Sequence, residues 1–123
     1  MQFKKLNVNP AKRNTDDSYV KCISIALEIP YKKAYKLLAE HGIRQSLAMN
    51  DSRLFRNFMN YIGYIEIQLD KKCNVSKFSE HVSRGKVCIL RIGKNGATVV
   101  KDNVIYDSYD PSNKIVNGYW VIR

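Results

Sequence analysis

The chain has 123 residues, of which 45 % are hydrophobic, and this size suits one domain with one core. No apolar run approaches the roughly 18 residues of a membrane-spanning helix, so the sequence predicts no such helix and no membrane partner. The 21 Lys and Arg against 11 Asp and Glu give a formal net charge of +10, which favours polyanionic partners such as nucleic acid or an acidic protein surface.

The first 14 residues predict an extended basic arm, and residues 15–123 predict a single domain. The arm contains a proline and four basic residues: Lys4, Lys5, Lys12 and Arg13. Because no apolar block follows these charges, the arm does not resemble a secretory signal, and we expect a cytoplasmic protein. The three cysteines agree with this expectation, because an odd number at wide spacings indicates neither a disulfide framework nor a zinc site.

Three segments with helical spacing of their apolar residues follow the arm. The first covers residues 17–28 and begins behind two aspartates, which suit the positive end of a helix. Pro30 stops this helix and precedes a second one over residues 31–42, for which Gly42 is a suitable end. A third helix lies within residues 50–63 and takes its cap from one of three residues: Asn50, Asp51 or Ser52.

The pattern then changes to that of strands. "YIEIQL" (64–69) alternates apolar and polar residues, which predicts a half-buried strand with its isoleucines inside. "SKFSEHVSRG" (76–85) predicts a short helix that buries Phe78 and Val82. Four more strands are predicted in "KVCILRI", "ATVV", "NVIYD" and "GYWVIR".

The order of these elements predicts the fold class. The run 87–90 is apolar at every position, which places its strand centrally. Helices followed by a series of short strands predict an α+β domain, with N-terminal helices packed on a small, mostly antiparallel sheet.

Acidic residues near the C-terminal strands predict turns. Asp102 lies in "KDN", which has the composition of a tight hairpin turn, and Asp110 lies in "DPS", which suits the next turn. Together with Asp107 they also fit an oxygen cluster for a hard cation, but the turn interpretation is favoured. "IGKNGAT" lacks the strand-to-helix context of a phosphate-binding loop, so we expect no metal and no cofactor.

Two parts of the sequence contain short motifs in addition to the periodic patterns of helices and strands. The first is "DDSYVKCISIALEIPYKKAYKLLAEHG", and the second is "NGATVVKDNVIYDSYDPS" with "NGYW". They resemble a group of small phage proteins with a papain-like cysteine-peptidase fold. The first helix of that group typically opens Asp-Cys, and a Pro-Tyr helix ending near His-Gly follows. Its C-terminal half typically reads Gly-His, a strand, a turn, a strand ending Tyr-Asp-Thr-Trp-Asp, and a final Tyr-Trp. The resemblance covers roughly residues 14–42 and 86–121.

The resemblance implies a papain-like fold and the positions of a catalytic site. In that fold a cysteine at the helix N-terminus is the nucleophile, a strand histidine is the base, and a carboxylate on the next strand orients it. These positions fall on Ser18, Gly96 and Asp107 in this chain, so only the carboxylate is intact. Since a serine hydroxyl needs a base beside it, the resemblance implies a degenerate site with no catalytic residues, in which Ser18 caps the helix.

Other side chains offer weaker alternatives. Neither His41, at the end of the second helix, nor His81, on the short helix, lies on a predicted strand where a base is expected. Cys22 could share the face of Ser18, but it lies in an apolar stripe and suits a buried structural thiol. Cys88 belongs to the most apolar strand, and Cys73 is predicted to be an exposed loop residue beside two lysines.

Basic residues are spread over the predicted helices and strands. Eight tyrosines interleave with them, a combination that suits single-stranded nucleic acid or a protein interface, although most tyrosines simply line a core. The candidate binding residues are Lys32, Lys33, Lys36, Arg53, Arg56, Arg91 and Lys94.

Three functional hypotheses follow. The first is a non-catalytic protein on a peptidase-like scaffold that binds a host or phage macromolecule, for instance as an inhibitor of host or defence machinery. The second is a cryptic hydrolase or peptidase that uses Ser18 or Cys22. The third is a charge-driven nucleic-acid-binding protein or virion component, which is compatible with the first. The resemblance implies the cytoplasm of a host cell, or a virion, as the location.

Overall fold

The computed structural model describes residues 2–13, 16–82 and 84–123. Positions 1, 14 and 15, at the ends of the predicted arm and domain, and position 83 of the predicted short helix lie outside these ranges. The helices of the described residues are α1 (Ser18–Leu27), α2 (Tyr31–Gln45), α3 (Ser52–Tyr61) and α4 (Val75–His81). The strands are β1 (Gln2–Lys5), β2 (Val87–Ile92), β3 (Gly96–Lys101), β4 (Val104–Asp107) and β5 (Val116–Val121). The predicted α+β class is confirmed.

The strands form a mixed sheet in the order β1-β4-β3-β2-β5. β2, β3, β4 and β5 pair antiparallel, whereas β1 pairs parallel with β4 at one edge. Asp102 and Asn103 join β3 to β4, and their φ angles of 42° and 70° suit the two-residue turn that matches the twist of a hairpin. The tight turn predicted in "KDN" is therefore confirmed.

Helices cover both faces of the sheet. α1, α2 and α3 pack on the face that carries Ile89, Val99 and Trp120, with α1 lying directly on β3. Phe78 of α4 packs on the opposite face, against Leu90 and other buried strand residues. The continuous apolar run of β2 is explained by this arrangement, because the strand is buried on both faces and has a neighbour on each side.

The N-terminal segment belongs to the sheet. β1 aligns with β4 from Val104 to Asp107, and the Leu6 N–H continues this pairing by donating to the Asp107 carbonyl over 2.8 Å. Leu6 and Val8 then pack against the helical side of the core. An edge strand with lysines at two of its four positions has little apolar pattern, and the sequence therefore predicts extension here but not pairing.

The prediction of a strand over residues 64–69 is wrong. Within this segment only Ile67 makes a bridge, to Tyr119 of β5, and Ile65 is 78 % exposed. Glu66 points inward instead, where it forms ion pairs with Arg56 and Arg91 at 2.9 Å each. Because neighbouring residues of an extended chain face opposite sides, burying the Glu66 carboxylate turns Ile65 toward solvent.

The predicted end of the second helix at Gly42 is also wrong, since α2 continues to Gln45. Ser46, with a φ of 57°, takes the left-handed conformation that ends the helix. Gly42 is needed for close packing: a Cβ at this position would lie 2.9 Å from the Leu47 carbonyl oxygen and 3.1 Å from Leu54 Cδ2. The glycine lets α2 approach α3 and the loop that joins them.

Candidate functional site

Ser18, Gly96 and Asp107 line one cavity of about 210 Å³. Ser18 is the first residue of α1, Gly96 is the first of β3, and Asp107 is the last of β4. Because β3 and β4 are antiparallel neighbours, the start of one lies beside the end of the other, and α1 packs across this end of the sheet. Three positions that are far apart in sequence are thus brought to one place.

Neither histidine of the chain lines this cavity. His41 is buried between α2 and α3, where its ring contacts those of Phe58 and Tyr61. Burial and the neighbouring Arg44 lower the pKa of His41. His81 ends α4, on the far face of the sheet. No imidazole is therefore in place to accept a proton from Ser18.

The Asp107 carboxylate is held by its own turn. Its Oδ1 accepts hydrogen bonds from the Ser108 N–H over 2.6 Å and from the Tyr109 N–H over 3.5 Å. Burial raises the pKa of Asp107, and the neighbouring Thr98 hydroxyl and these backbone donors partly oppose the shift. The contacts of this carboxylate fix the chain as it leaves β4.

A buried polar cluster lies beside the cavity, at the start of α1. Asp17 Oδ2 accepts hydrogen bonds from Asn9 Nδ2 over 3.1 Å and from the Tyr31 hydroxyl over 2.8 Å. Lys21 Nζ lies 3.0 Å from Asp17 Oδ1 and donates to Ser108 Oγ over 3.0 Å. We call these residues the Asp17 cluster; they join the N-terminal segment, α1, α2 and the end of β4.

The Asp17 cluster was not predicted from the sequence. Its one local signal is the spacing of Asp17 and Lys21, which are four residues apart and so share a helix face. Their burial depends on Ser108, which is 87 residues away from Lys21 in the chain. The predicted role of Ser18 as a cap is wrong as well, because Asp17 occupies the N-cap position and Ser18 is the first helical residue.

The cysteines are protected rather than activated. Cys22 is buried, and burial raises the pKa of its thiol well above the ordinary range. Burial likewise raises the pKa of Cys88 to about 11. The prediction that Cys73 is exposed is wrong: it is half-buried against the core around Phe78, and burial raises its pKa despite the neighbouring Lys77. A thiolate nucleophile is disfavoured at all three positions.

The predicted basic residues divide into two groups. The three arginines are paired with carboxylates: Arg53 with Asp51 at 2.7 Å, and Arg56 and Arg91 with Glu66. The lysines are exposed and make no ion pair with another residue of the described ranges; they are Lys32, Lys33, Lys36 and Lys94. Three of these four, Lys32, Lys33 and Lys36, lie on α2.

No family model matches the chain, and the comparisons with curated proteins and with solved structures found no match. In the described parts of the chain there is no group of three or more Asp, Glu, His and Cys side chains that could hold a metal ion. None of the described helices is long and apolar enough to cross a membrane.

Proposed function

We propose that the protein is a non-catalytic binding protein on a papain-like scaffold and that its partner is an acidic macromolecule. The observation that carries the proposal is the shared cavity of Ser18, Gly96 and Asp107, the three positions that the resemblance assigns to nucleophile, base and orienting carboxylate. The helix-on-sheet arrangement agrees with this assignment, and the missing imidazole argues against catalysis.

The groups near Ser18 do not replace the missing base. Lys21 is engaged as a donor to Ser108 and as the ion-pair partner of Asp17, so it has no free lone pair to offer the serine hydroxyl. Asp107 accepts two backbone hydrogen bonds from its own turn and, among the described residues, no hydrogen bond joins it to the Ser18 hydroxyl. A serine without an adjacent base is a poor nucleophile, so binding is favoured over hydrolysis as the function.

The unpaired lysines of α2 indicate the chemistry of the partner. Lys32, Lys33 and Lys36 are exposed within a single turn and a half of helix, in a chain whose formal net charge is +10. Such a patch raises the association rate with a negatively charged surface and contributes to its recognition. A host or phage protein with an acidic face and a nucleic acid are both partners of this kind.

Capture of partners from a host lysate, with and without nuclease, tests the proposal. The variant Lys32→Glu/Lys33→Glu/Lys36→Glu should lose the partner that the wild-type protein retains. The control Lys71→Glu/Lys72→Glu/Lys77→Glu reverses the same number of exposed lysines elsewhere and should keep it. Equal capture by both variants would contradict the role of α2.

A second arm tests the absence of catalysis. The wild-type protein is treated with serine- and thiol-directed active-site probes and analysed by peptide mass spectrometry. We expect no selective modification of Ser18 or Cys22. Selective labelling of either residue, abolished by its single substitution, would show a cryptic hydrolase and overturn the proposal.

A further inference from the structure

A polar groove runs along the outer face of α3. Two adjoining cavities of about 390 and 410 Å³ share Asn57 and Asn60 as lining residues. The first extends to Arg56 and Tyr64, and the second to Tyr61. We call this surface the α3 groove; each half has the size of a pocket for a small organic group.

An exposed aromatic ring lies at one end of the α3 groove. Tyr61 is 70 % exposed, and its ring lies beside the His41 ring at 5.3 Å and the Arg44 guanidinium at 6.0 Å from the ring centroid. A large aromatic side chain that remains in water beside a cation offers a platform on which a planar base can stack.

Two side-chain amides, those of Asn57 and Asn60, line both halves of the α3 groove. Asn57 Nδ2 donates to Gln45 Oε1 over 2.8 Å, which orients the Asn57 carbonyl oxygen and leaves it available. The Asn60 side chain makes no hydrogen bond with another described residue and is exposed. Asparagine amides provide both donors and acceptors, as the edges of nucleobases do.

The charges around the α3 groove favour an anion. Two arginines, Arg53 and Arg56, line it together with one carboxylate, that of Glu66. Further charges contact its lining residues: Arg44 lies over the Tyr61 ring, Arg91 pairs with Glu66, and Asp51 pairs with Arg53. The side chains of Arg53 and Arg56 are 71 % and 47 % exposed, so part of each guanidinium group remains open to a phosphate contact.

We infer that the α3 groove binds single-stranded nucleic acid, with a base stacked on Tyr61, base edges at Asn57 and Asn60, and phosphates at the arginines. Nucleic acid is favoured because each nucleotide combines a planar base, a hydrogen-bonding edge and a phosphate, which match the exposed ring, the amides and the arginines. This inference rests on the proposed binding function and gives it a partner class and a second surface, distinct from the lysines of α2.

Fluorescence anisotropy of labelled oligonucleotides of about 15 residues, a length within the range that one module covers, tests the inference. Oligo(dT), oligo(U) and a mixed duplex of the same length are compared at about 50 mM salt, where phosphate contacts are strong. We expect both single strands, or one of them, to bind more tightly than the duplex. Equal or tighter binding of the duplex, or no binding, would overturn the inference.

Substitutions in the α3 groove test whether the oligonucleotide binds there. Tyr61→Ala should weaken binding of the single strand by about tenfold, the loss expected for one stacked base, whereas Tyr35→Ala, an exposed tyrosine on α2, should not. Asn57→Asp/Asn60→Asp provides a second test, because its added negative charges should weaken binding without altering the core. If Tyr61→Ala and Asn57→Asp/Asn60→Asp both bind as the wild type does, the inference fails.

The two proposals can fail separately. If binding of the oligonucleotide depends on Lys32, Lys33 and Lys36 but not on Tyr61, the proposed function survives and the assignment to the α3 groove is wrong. If Ser18 or Cys22 is labelled by an active-site probe, the proposed function is wrong whatever the anisotropy results show.

Discussion

Lys21 Nζ lies 3.0 Å from Asp17 Oδ1 in the first turn of α1, and both side chains are more than nine-tenths buried. This ion pair is tied to other parts of the fold through the contacts of Asp17 with Asn9 and Tyr31 and of Lys21 with Ser108. It stands directly beside Ser18, at the position where a peptidase of the proposed ancestry would keep its nucleophile. The charges therefore serve to hold the helix start in place.

Replacing Lys21 by Met should lower the free energy of unfolding by about 3 kcal/mol, because the Asp17 carboxylate is then buried without its partner. Urea denaturation followed by tryptophan fluorescence measures the change through Trp120, which is buried in the core. Arg53→Met removes an exposed ion pair and should cost much less.

The double variant Asp17→Asn/Lys21→Met measures the interaction energy between these two side chains apart from their contacts with other residues. It removes both charges together, so it should be less destabilised than the sum of the two single variants. Strictly additive losses would contradict a direct interaction between the two side chains.

Asp107 should make stability depend on pH in a defined direction. Burial raises its pKa above the ordinary value of 3.8, so the folded protein holds this proton more tightly than the unfolded chain does. The stability that Asp107 contributes is then complete below about pH 4 and is lost as pH rises through the raised pKa.

Asp107→Asn removes this titration. The free energy of unfolding of the variant, relative to wild type, should therefore increase as pH rises from about 4 toward neutrality. Denaturation curves at stepped pH measure the difference between the two proteins. A difference that stays constant or decreases over this window would show that the Asp107 carboxylate is not disfavoured by burial.

Gly42→Ala should destabilise the protein although alanine is the better helix former. The added Cβ would lie 2.9 Å from the Leu47 carbonyl oxygen, so α2 and the following loop must move apart. We expect a loss of roughly 1 to 3 kcal/mol, as for other overpacked sites. Helix propensity alone predicts a gain of up to about 1 kcal/mol, so the sign of the change in melting temperature decides between the two.

The helices and the C-terminal strands could be predicted because burial of one face leaves its period in the sequence. α1 begins and ends within one residue of its predicted bounds, and the hairpin at Asp102 carries its own turn chemistry. These features depend on residues that are close in the chain.

The errors arose where distant residues decide the local structure. The alternation over residues 64–69 predicts a strand, but the ion pairs of Glu66 with Arg56 and Arg91 select which side faces inward. Glycine is typical of a helix end, so the sequence predicts one at Gly42. The close packing of Leu47 and Leu54 against this residue shows that the glycine is needed for packing instead. Neither set of contacts can be predicted from short windows of sequence.

The sequence predicted only part of the candidate site, because some of its residues lie in recognisable motifs and others meet only in the folded chain. Motif resemblance pointed to Ser18, Gly96 and Asp107, and the folded chain places all three around one cavity. The Asp17 cluster beside them was missed, because a buried lysine is recognised only when its distant acceptor is known. The α3 groove was predicted only in part: Arg53 and Arg56 were candidate binding residues, whereas Asn57 and Asn60 were not, because they belong to no sequence motif.

The papain-like interpretation can be tested by rebuilding the site. In a Cys73→Ser background, which removes the half-buried thiol, the variant Ser18→Cys/Gly96→His restores the two groups that the resemblance expects. A Cβ at position 96 would lie 3.1 Å from the Ile92 carbonyl oxygen, so a histidine there requires the neighbouring backbone to move by a few tenths of an ångström. The control Ser18→Cys/Asn95→His places the imidazole on the adjacent exposed turn.

The most direct measurement of this central claim is the rate at which iodoacetamide alkylates the thiol introduced by Ser18→Cys, followed as a function of pH. If the scaffold is papain-like, the imidazole at position 96 should stabilise the thiolate, and rapid alkylation should begin at a lower pH than in the Asn95→His control. The same pH profile in both folded variants would contradict the papain-like placement of Ser18, Gly96 and Asp107.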